Sequence, residues 1–225
     1  MKTLLIVATN TDVGKTVLTT SLAAYWQTFK EKQSLGLIKL LQTGVGDREL
    51  YHQLFANSGS IEIVTPLQFN APLAPPIAAA KEGTSIDLAV VWQALKALQQ
   101  KHELVLAEAL GGLGSPVTDE LTVADLARDW CLPVLLVVPV KLGAIADAVA
   151  NVALARQSNL SLRGIVLNCL TLEAENNLED WASIALIESL TGVKVVGVIP
   201  HLSESTNLEK LTQVAANLDL EMFFV

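Results

Sequence analysis

Leu4-Leu5-Ile6-Val7-Ala8-Thr9-Asn10-Thr11-Asp12-Val13-Gly14-Lys15-Thr16 is the stretch on which the reading of this chain turns. The apolar run Leu4 to Val7 reads as a short strand, and Gly14-Lys15-Thr16 opens a helix-like run from Val17 to Phe29. Strand, loop and helix in that order are the setting in which the pattern G-x-x-x-x-G-K-S/T holds phosphates. Backbone N–H groups and a helix N-terminus cradle the anion, the lysine reaches the β and γ oxygens, and the Ser/Thr hydroxyl ligates Mg²⁺. Gly14, Lys15 and Thr16 fill the second half of the pattern, and Thr9 stands where its first glycine belongs. Asp12, Val13 and Val17 complete the candidate nucleotide loop.

Length and composition limit what this loop can serve. At 225 residues the chain fits a single α/β domain over 1–225 with a substantial core. Hydrophobic residues make up 51% and charged residues 17%, yet no apolar run approaches the roughly 20 residues of a membrane span. Met1-Lys2-Thr3 leads straight into the first strand, which leaves no room for a signal peptide, so a cytoplasmic protein is expected. The net charge of −8 argues against nucleic acid and anionic membrane as partners, which leaves a small ligand. Cys131 and Cys169 have no metal-site spacing, and both are expected to be small buried residues.

Strands are expected at Leu4–Val7, Leu35–Lys39, Leu104–Ala107, Val134–Val138, Gly164–Leu167 and Val195–Ile199. Helices are expected at Lys15–Glu31, Glu49–Ala56, Ile86–Gln100, Val123–Trp130, Ala144–Gln157, Asp180–Leu190 and Leu208–Leu218. Strands that are apolar throughout, alternating with helices, imply a parallel sheet covered on both faces. The fold class is α/β, doubly wound and mainly parallel, of the P-loop NTPase type. Ala71–Pro76 and Gly111–Pro116 read as loops inside the domain, and the closing Leu220–Val225 as a packed strand or tail.

In such a sheet ligands gather at the carboxyl ends of the strands. Those ends carry Lys39, Gln42-Thr43-Gly44 and Asp47, then Glu108-Ala109-Leu110-Gly111, Lys141-Leu142-Gly143-Ala144, Asn168 and Pro200-His201-Leu202. Mg²⁺ takes hard oxygen ligands, one or two of them carboxylates beside nucleotide phosphates, so Thr16, Asp47 and Glu108 form a candidate shell. Lys15 and Lys39 would flank a γ-phosphate. Asp47 reads equally as a helix N-terminal acid, Lys39 taken singly as a solvated strand end, and Asn168 as a turn former. Glu108, closing an apolar strand, is costly to bury without a cation or hydrogen bonds.

With these residues assembled, the chain resembles the dethiobiotin synthetase family along nearly its whole length. Thr9 to Thr16 resembles that family's G-T-D-T-E/D-V-G-K-T loop, Lys39 to Gly44 its K-P-V-x-S/T-G, and Glu108 to Gly112 its E-G-A-G-G. Val138 to Gly143 resembles V-x-V-K-L-G, and Val166 to Asn168 with Gly197 to Leu202 resembles the adenine-side segments. The resemblance implies ATP, Mg²⁺, CO₂ and 7,8-diaminononanoate as inputs, with dethiobiotin, ADP and phosphate as products. It also implies catalytic roles for Lys15 and Lys39, and diamine contacts for Thr11 and Thr43. Asn168, Pro200, His201 and Leu202 would take adenine and ribose, and Leu142, Gly143, Ala144 and Ile145 the substrate carboxylate. In the family that last segment comes from a partner subunit, so a homodimer is implied.

The chain departs from the family pattern at Ala8, Asn10, Leu40, Ala109, Leu110 and Asn207. The competing class is a P-loop switch or partitioning ATPase, but the additional early lysine of that class is replaced here by Thr9, Asn10 or Thr11. His52 and His102 read as surface or packing residues, and Trp26, Trp92, Trp130 and Trp181 as packing.

Overall fold

A run of residues apolar on both faces can be buried only between two layers, and β1 (Thr3–Ala8) is buried along its whole length. The structure is a computed structural model that describes residues 3–30 and 32–224. From β1 the chain runs through α1 (Lys15–Phe29), β2 (Leu35–Lys39), β3 (Gln42–Thr43), α2 (Asp47–Phe55), β4 (Ile61–Val64) and β5 (Gln68–Phe69). It continues with α3 (Pro75–Lys81), α4 (Leu88–Lys101), β6 (Leu104–Glu108), α5 (Val123–Asp129), β7 (Val134–Pro139), α6 (Ala144–Gln157) and β8 (Leu162–Asn168). Last come α7 (Leu172–Asn176), α8 (Leu178–Ala182), α9 (Ile184–Thr191), β9 (Val195–Ile199), α10 (Leu208–Ala216) and α11 (Glu221–Phe224).

Seven strands form one sheet in the order β4-β2-β6-β1-β7-β8-β9, with every pairing parallel. One face is packed by Leu18 and Leu22 of α1, Tyr51 and Phe55 of α2, and Leu211 of α10. The other is covered by Val91, Leu95 and Leu98 of α4, Leu126 of α5, Val152 of α6 and Ile187 of α9. The step from β6 to β7 passes over β1, which opens a crevice at the carboxyl end of β1 where the loop Thr9–Gly14 sits. Beside it, β3 and β5 pair as a separate two-stranded parallel sheet. Leu41, Phe69, Ala78 and Ala79 pack beneath that small sheet and hold it against α3.

Each strand expected from sequence is present, and β4 is an addition at the sheet edge. Glu62 interrupts its apolar run, and that carboxylate is taken by Lys101 and His102 at the end of α4. The segment Ala71–Pro76 is only partly a loop, because Pro75 begins α3, where a proline without an N–H costs nothing. Asp180–Leu190 is two helices that meet at Ser183, whose ψ of 116° is not helical. The last described residues form a helical turn, α11, with Phe224 packed edge-on to Trp26, rather than a strand. Helix α1 stops at Phe29; Glu31 of the expected span lies outside the described residues, as do Met1, Lys2 and Val225.

Cys169 is buried, but Cys131 is exposed in a turn with φ 51°, because the chain reverses there between α5 and β7. Of the tryptophans Trp26 is buried, while Trp92 and Trp130 pair at 5.2 Å between ring centroids on the rim of the core. Leu22 is wholly buried between α1 and the sheet, so Leu22→Ala should lower the unfolding free energy by about 2–5 kcal/mol in urea titration. A loss below about 0.5 kcal/mol would place α1 outside the cooperative core.

Candidate active site

The loop after β1 turns into α1 through Gly14, whose φ of 102° is left-handed and disfavours any side chain. A Cβ at Gly14 would also fall 1.9 Å from the Asn168 amide nitrogen, which donates to the Val13 carbonyl at 2.9 Å. Asn168 therefore braces the loop Thr9–Gly14 from the end of β8. Gly112 permits a second close approach, since a Cβ there would lie 2.6 Å from the Thr9 carbonyl oxygen. Lys15, at the first turn of α1, sends its ammonium back across the loop to the carbonyls of Asn10 (3.1 Å) and Gly111 (2.6 Å). Burial lowers its pKa to about 8, against the opposing pull of Glu108.

Strand register brings the other charges together. Lys39 closes β2 directly beside Glu108, which closes β6. The Lys39 ammonium lies 2.7 Å from Glu108 Oε1, 2.5 Å from Asp47 Oδ2 and 3.1 Å from the Ala109 carbonyl. Burial alone would push the Lys39 pKa down, but Glu108 and Asp47 outweigh it and hold the ammonium above the usual lysine value. Burial likewise opposes the charge on Asp47, whose pKa is nevertheless lowered by Lys39 and by the Thr16 hydroxyl. Asp47 is thus both the first residue of α2 and a partner of Lys39. Thr16 Oγ1 is 2.6 Å from Asp47 Oδ1 and 3.0 Å from Glu108 Oε1.

Sequence reasoning missed two residues of this cluster, Thr19 and Tyr51, and gave Gln42 no role beyond its place after a strand. Thr19 donates to Glu108 Oε2 at 2.6 Å, and the Tyr51 hydroxyl donates to the same oxygen. Burial, and then the Glu108 charge, push the Tyr51 phenol well above its usual pKa. The buried amide of Gln42 accepts from the Arg48 N–H at 2.8 Å and donates to Glu49 at 3.0 Å, which fastens the Gly44–Gly46 turn ahead of Asp47. A spacing signal was present, since Thr19 follows Thr16, and Tyr51 follows Asp47, by one helical turn.

A cavity of about 240 Å³ opens above these groups, lined by Thr11, Asp12, Gly14, Lys15, Thr16, Lys39, Thr43, Asp47, Leu110 and Gly111 among others. A second groove of about 400 Å³ shares Thr11, Thr43, Leu110 and Gly111 with it and continues to Pro72 and Ser115. Glu108 and Ala109 lie behind the cavity wall, both buried. Asn168, Pro200, His201 and Leu202 lie outside that lining; the His201 N–H donates to Glu175 at 3.0 Å. Leu142 is exposed, and Gly143, with φ 92°, starts α6 ahead of Ala144 and Ile145 on a face that lines neither depression.

Thr16, Asp47 and Glu108 offer the hard oxygens that Mg²⁺ prefers. Among the described residues no group of three or more His, Cys, Asp or Glu could hold a metal ion. Any cation here would depend on phosphate oxygens to complete its shell, which is the usual habit of Mg²⁺.

A family model described as an AAA domain matches residues 2–209. The ATP-dependent dethiobiotin synthetase BioD of Gloeothece citriformis is 64% identical, with 98% of each chain covered. The protein of the same name from Synechocystis is 55% identical over 98% of this chain and 94% of its own. This chain belongs to the ATP-dependent dethiobiotin synthetase family. Among solved structures, a ParA family ATPase from Chlorobium tepidum aligns with TM-score 0.62 at 11% identity, covering 100% of this chain and 99% of its own. The MinD cell division protein of Aquifex aeolicus aligns with TM-score 0.58 at 13% identity, over 95% of this chain and 87% of its own. Those two likenesses show that this synthetase-family chain has the fold of the P-loop ATPases.

In this member of the synthetase family, the Gly14 conformation and its contact with Asn168 make the loop intolerant of a side chain. Gly14→Ala should weaken ATP binding about 10- to 100-fold by calorimetry, the equivalent of about 1–3 kcal/mol of backbone strain. Affinity equal to that of the native chain would show that the loop does not hold the nucleotide.

Proposed function

We propose that this chain joins CO₂ to 7,8-diaminononanoate and closes the ring to dethiobiotin at the expense of ATP. Membership of the synthetase family supports the reaction class. The observation that carries the residue assignment is the meeting of two lysines, Lys15 and Lys39, at a cavity that runs through Thr11 and Thr43 into a second groove. ATP belongs in the first space, with its phosphates on the N–H groups from Asp12 to Val17, and the diamine in the second. Asn168, Pro200, His201 and Leu202 are assigned to the adenosine end, and Ala109, Leu110 and Gly111 to the phosphate side. The whole of 1–225 acts as one domain, in the cytoplasm.

One amine of the diamine adds to CO₂ with loss of a proton, giving a carbamate. A carbamate oxygen attacks the γ-phosphorus and ADP leaves, which produces a carbamic-phosphoric mixed anhydride. The second amine attacks the carbamoyl carbon, the C–O bond to phosphate breaks, and the cyclic urea closes with loss of a proton. Two anions must meet in the phosphoryl-transfer step, so concentrated positive charge contributes more than a general base. Lys15 takes the phosphate oxygens, while Lys39, which lines the same cavity as Thr43, steadies the carbamate. Mg²⁺, held by Thr16, Asp47 and Glu108, would neutralise charge spread over the β and γ oxygens. Thr11 and Thr43 orient the reacting amines by hydrogen bonding.

Leu142, Gly143, Ala144 and Ile145 line neither depression, so they are assigned to a substrate carboxylate across a homodimer, through the N–H groups that begin α6. The alternative of a switch or partitioning ATPase rests on likeness of fold alone, at 11–13% identity. Phosphate release from Mg-ATP should require both the diamine and bicarbonate, with the organic product gaining one carbonyl and losing two hydrogens relative to the diamine. Release independent of the diamine would overturn the reading. Lys39→Gln should lower turnover by about 100-fold or more while ATP binding survives, since it removes charge from the transition state. Unchanged turnover would remove Lys39 from the chemistry.

A further inference from the structure

Glu108 is wholly buried, and the two oxygens of its carboxylate face different surroundings. Oε1 is turned to Thr16 and Lys39, which line the phosphate cavity. Oε2 is turned the other way, into the core, where Thr19 and Tyr51 donate to it. Tyr51 is itself wholly buried, packed in the apolar layer with Phe55, Leu4 and Leu18. A buried phenol needs one hydrogen-bond partner, and one bound to an ionised carboxylate is about twice as strong as a neutral pair.

Helix geometry gives the arrangement its logic. Helix α1 presents Thr16 to Oε1 and, one turn on, Thr19 to Oε2. Helix α2 presents Asp47 to Thr16 and Lys39 and, one turn on, Tyr51 to Oε2. Each helix that brings a residue to the phosphate side thus brings a second hydroxyl behind the carboxylate.

We propose that Tyr51 and Thr19 are positioning residues that occupy Oε2 of Glu108, so that this carboxylate presents a single oxygen, Oε1, to the cation beside Thr16 and Asp47. This deepens the proposed function, because it rests on the reading that Mg²⁺ enters at Thr16, Asp47 and Glu108. A free carboxylate can rotate between one-oxygen and two-oxygen coordination, and Mg²⁺ demands near-ideal octahedral geometry. Fixing one oxygen from behind selects the geometry that suits Mg²⁺, as partners of ligating carboxylates do elsewhere.

The test is Mn²⁺ binding to the full-length, ADP-loaded protein, read by the loss of the free-ion electron paramagnetic resonance signal, with no turnover involved. Tyr51→Phe keeps the ring and removes only the donor. It should weaken Mn²⁺ binding by about 10-fold, the low end for lost partners of metal ligands, and leave ADP binding in EDTA within about twofold. A purely structural hydroxyl would instead lower the thermal midpoint and leave the Mn²⁺ affinity alone. Thr19→Ser retains the donor and should bind Mn²⁺ like the native chain, whereas Thr19→Val should weaken it. The Thr19 pair reads the same oxygen and decides the matter if Tyr51→Phe does not fold. Mn²⁺ affinities within about twofold of native in both Tyr51→Phe and Thr19→Val would overturn the proposal. Diamine-dependent phosphate release by the native protein is measured in parallel. Its absence beside a Tyr51→Phe shift in Mn²⁺ affinity would defeat the substrate reading and leave the positioning role standing.

Discussion

Everything at the carboxyl edge of the sheet is arranged around one buried ion pair, Lys39 with Glu108, set side by side by the parallel register of β2 and β6. Two charges removed from water cost several kcal/mol each, and their mutual attraction offsets this only where the remaining hydrogen-bonding capacity is filled. It is filled here: Glu108 accepts from Thr19, Tyr51 and Lys39, the Thr16 hydroxyl lies between Glu108 and the nearer Asp47, and Lys39 gives its other protons to Asp47 and the Ala109 carbonyl. Residues from two strands and two helices are thereby committed to one place. Removing any one donor leaves a charge short of a partner, and so the cluster is rigid.

That rigidity serves the phosphate loop. Lys15 and Thr16 belong to the first turn of α1, and the packing of Leu18 and Leu22 on the sheet fixes where that turn points. Asn168 ties the loop to β8 and Gly111 ties Lys15 to the segment after β6, so the cradle is supported from both sides of β1. Positive charge is therefore held in advance at the cavity that Lys15 and Lys39 line, and under the proposed function this is the cheapest form of electrostatic assistance to phosphoryl transfer, because nothing reorganises during the step.

The small β3–β5 sheet plays a different part. It is only two residues deep on each strand and owes its position to Leu41, Phe69 and the alanines of α3 rather than to its own hydrogen bonds. By placing Thr43 across from Thr11, it makes a wall shared by the phosphate cavity and the neighbouring groove. The surrounding frame is fixed by the sheet, whereas this wall depends on a satellite cluster joined to the main core through Leu67 and Leu110.

Local pattern was enough for the main sheet and its helices, since apolar runs and helical periods are short-range signals that a P-loop then orders. Thr16, Lys39, Asp47 and Glu108 were also legible as a group, from their residue types and their places in the loop and beyond the strand ends, and the structure does bring these four together. Where pattern was weak the sequence misled: edge strand β4 carries Glu62, α3 begins on a proline, and the turn at Cys131 exposes a residue that is usually buried. Tyr51 and Thr19 were not singled out as site residues: their one-turn spacing from Asp47 and Thr16 is shared by any helix face, and only folding set them behind Glu108. The sequence by itself determined the fold class, the phosphate loop and the identity of the charged groups. Only the tertiary structure decided which of them meet, because contact between residues 16, 39, 47, 51 and 108 depends on strand register and helix rotation, and no local sequence pattern encodes either.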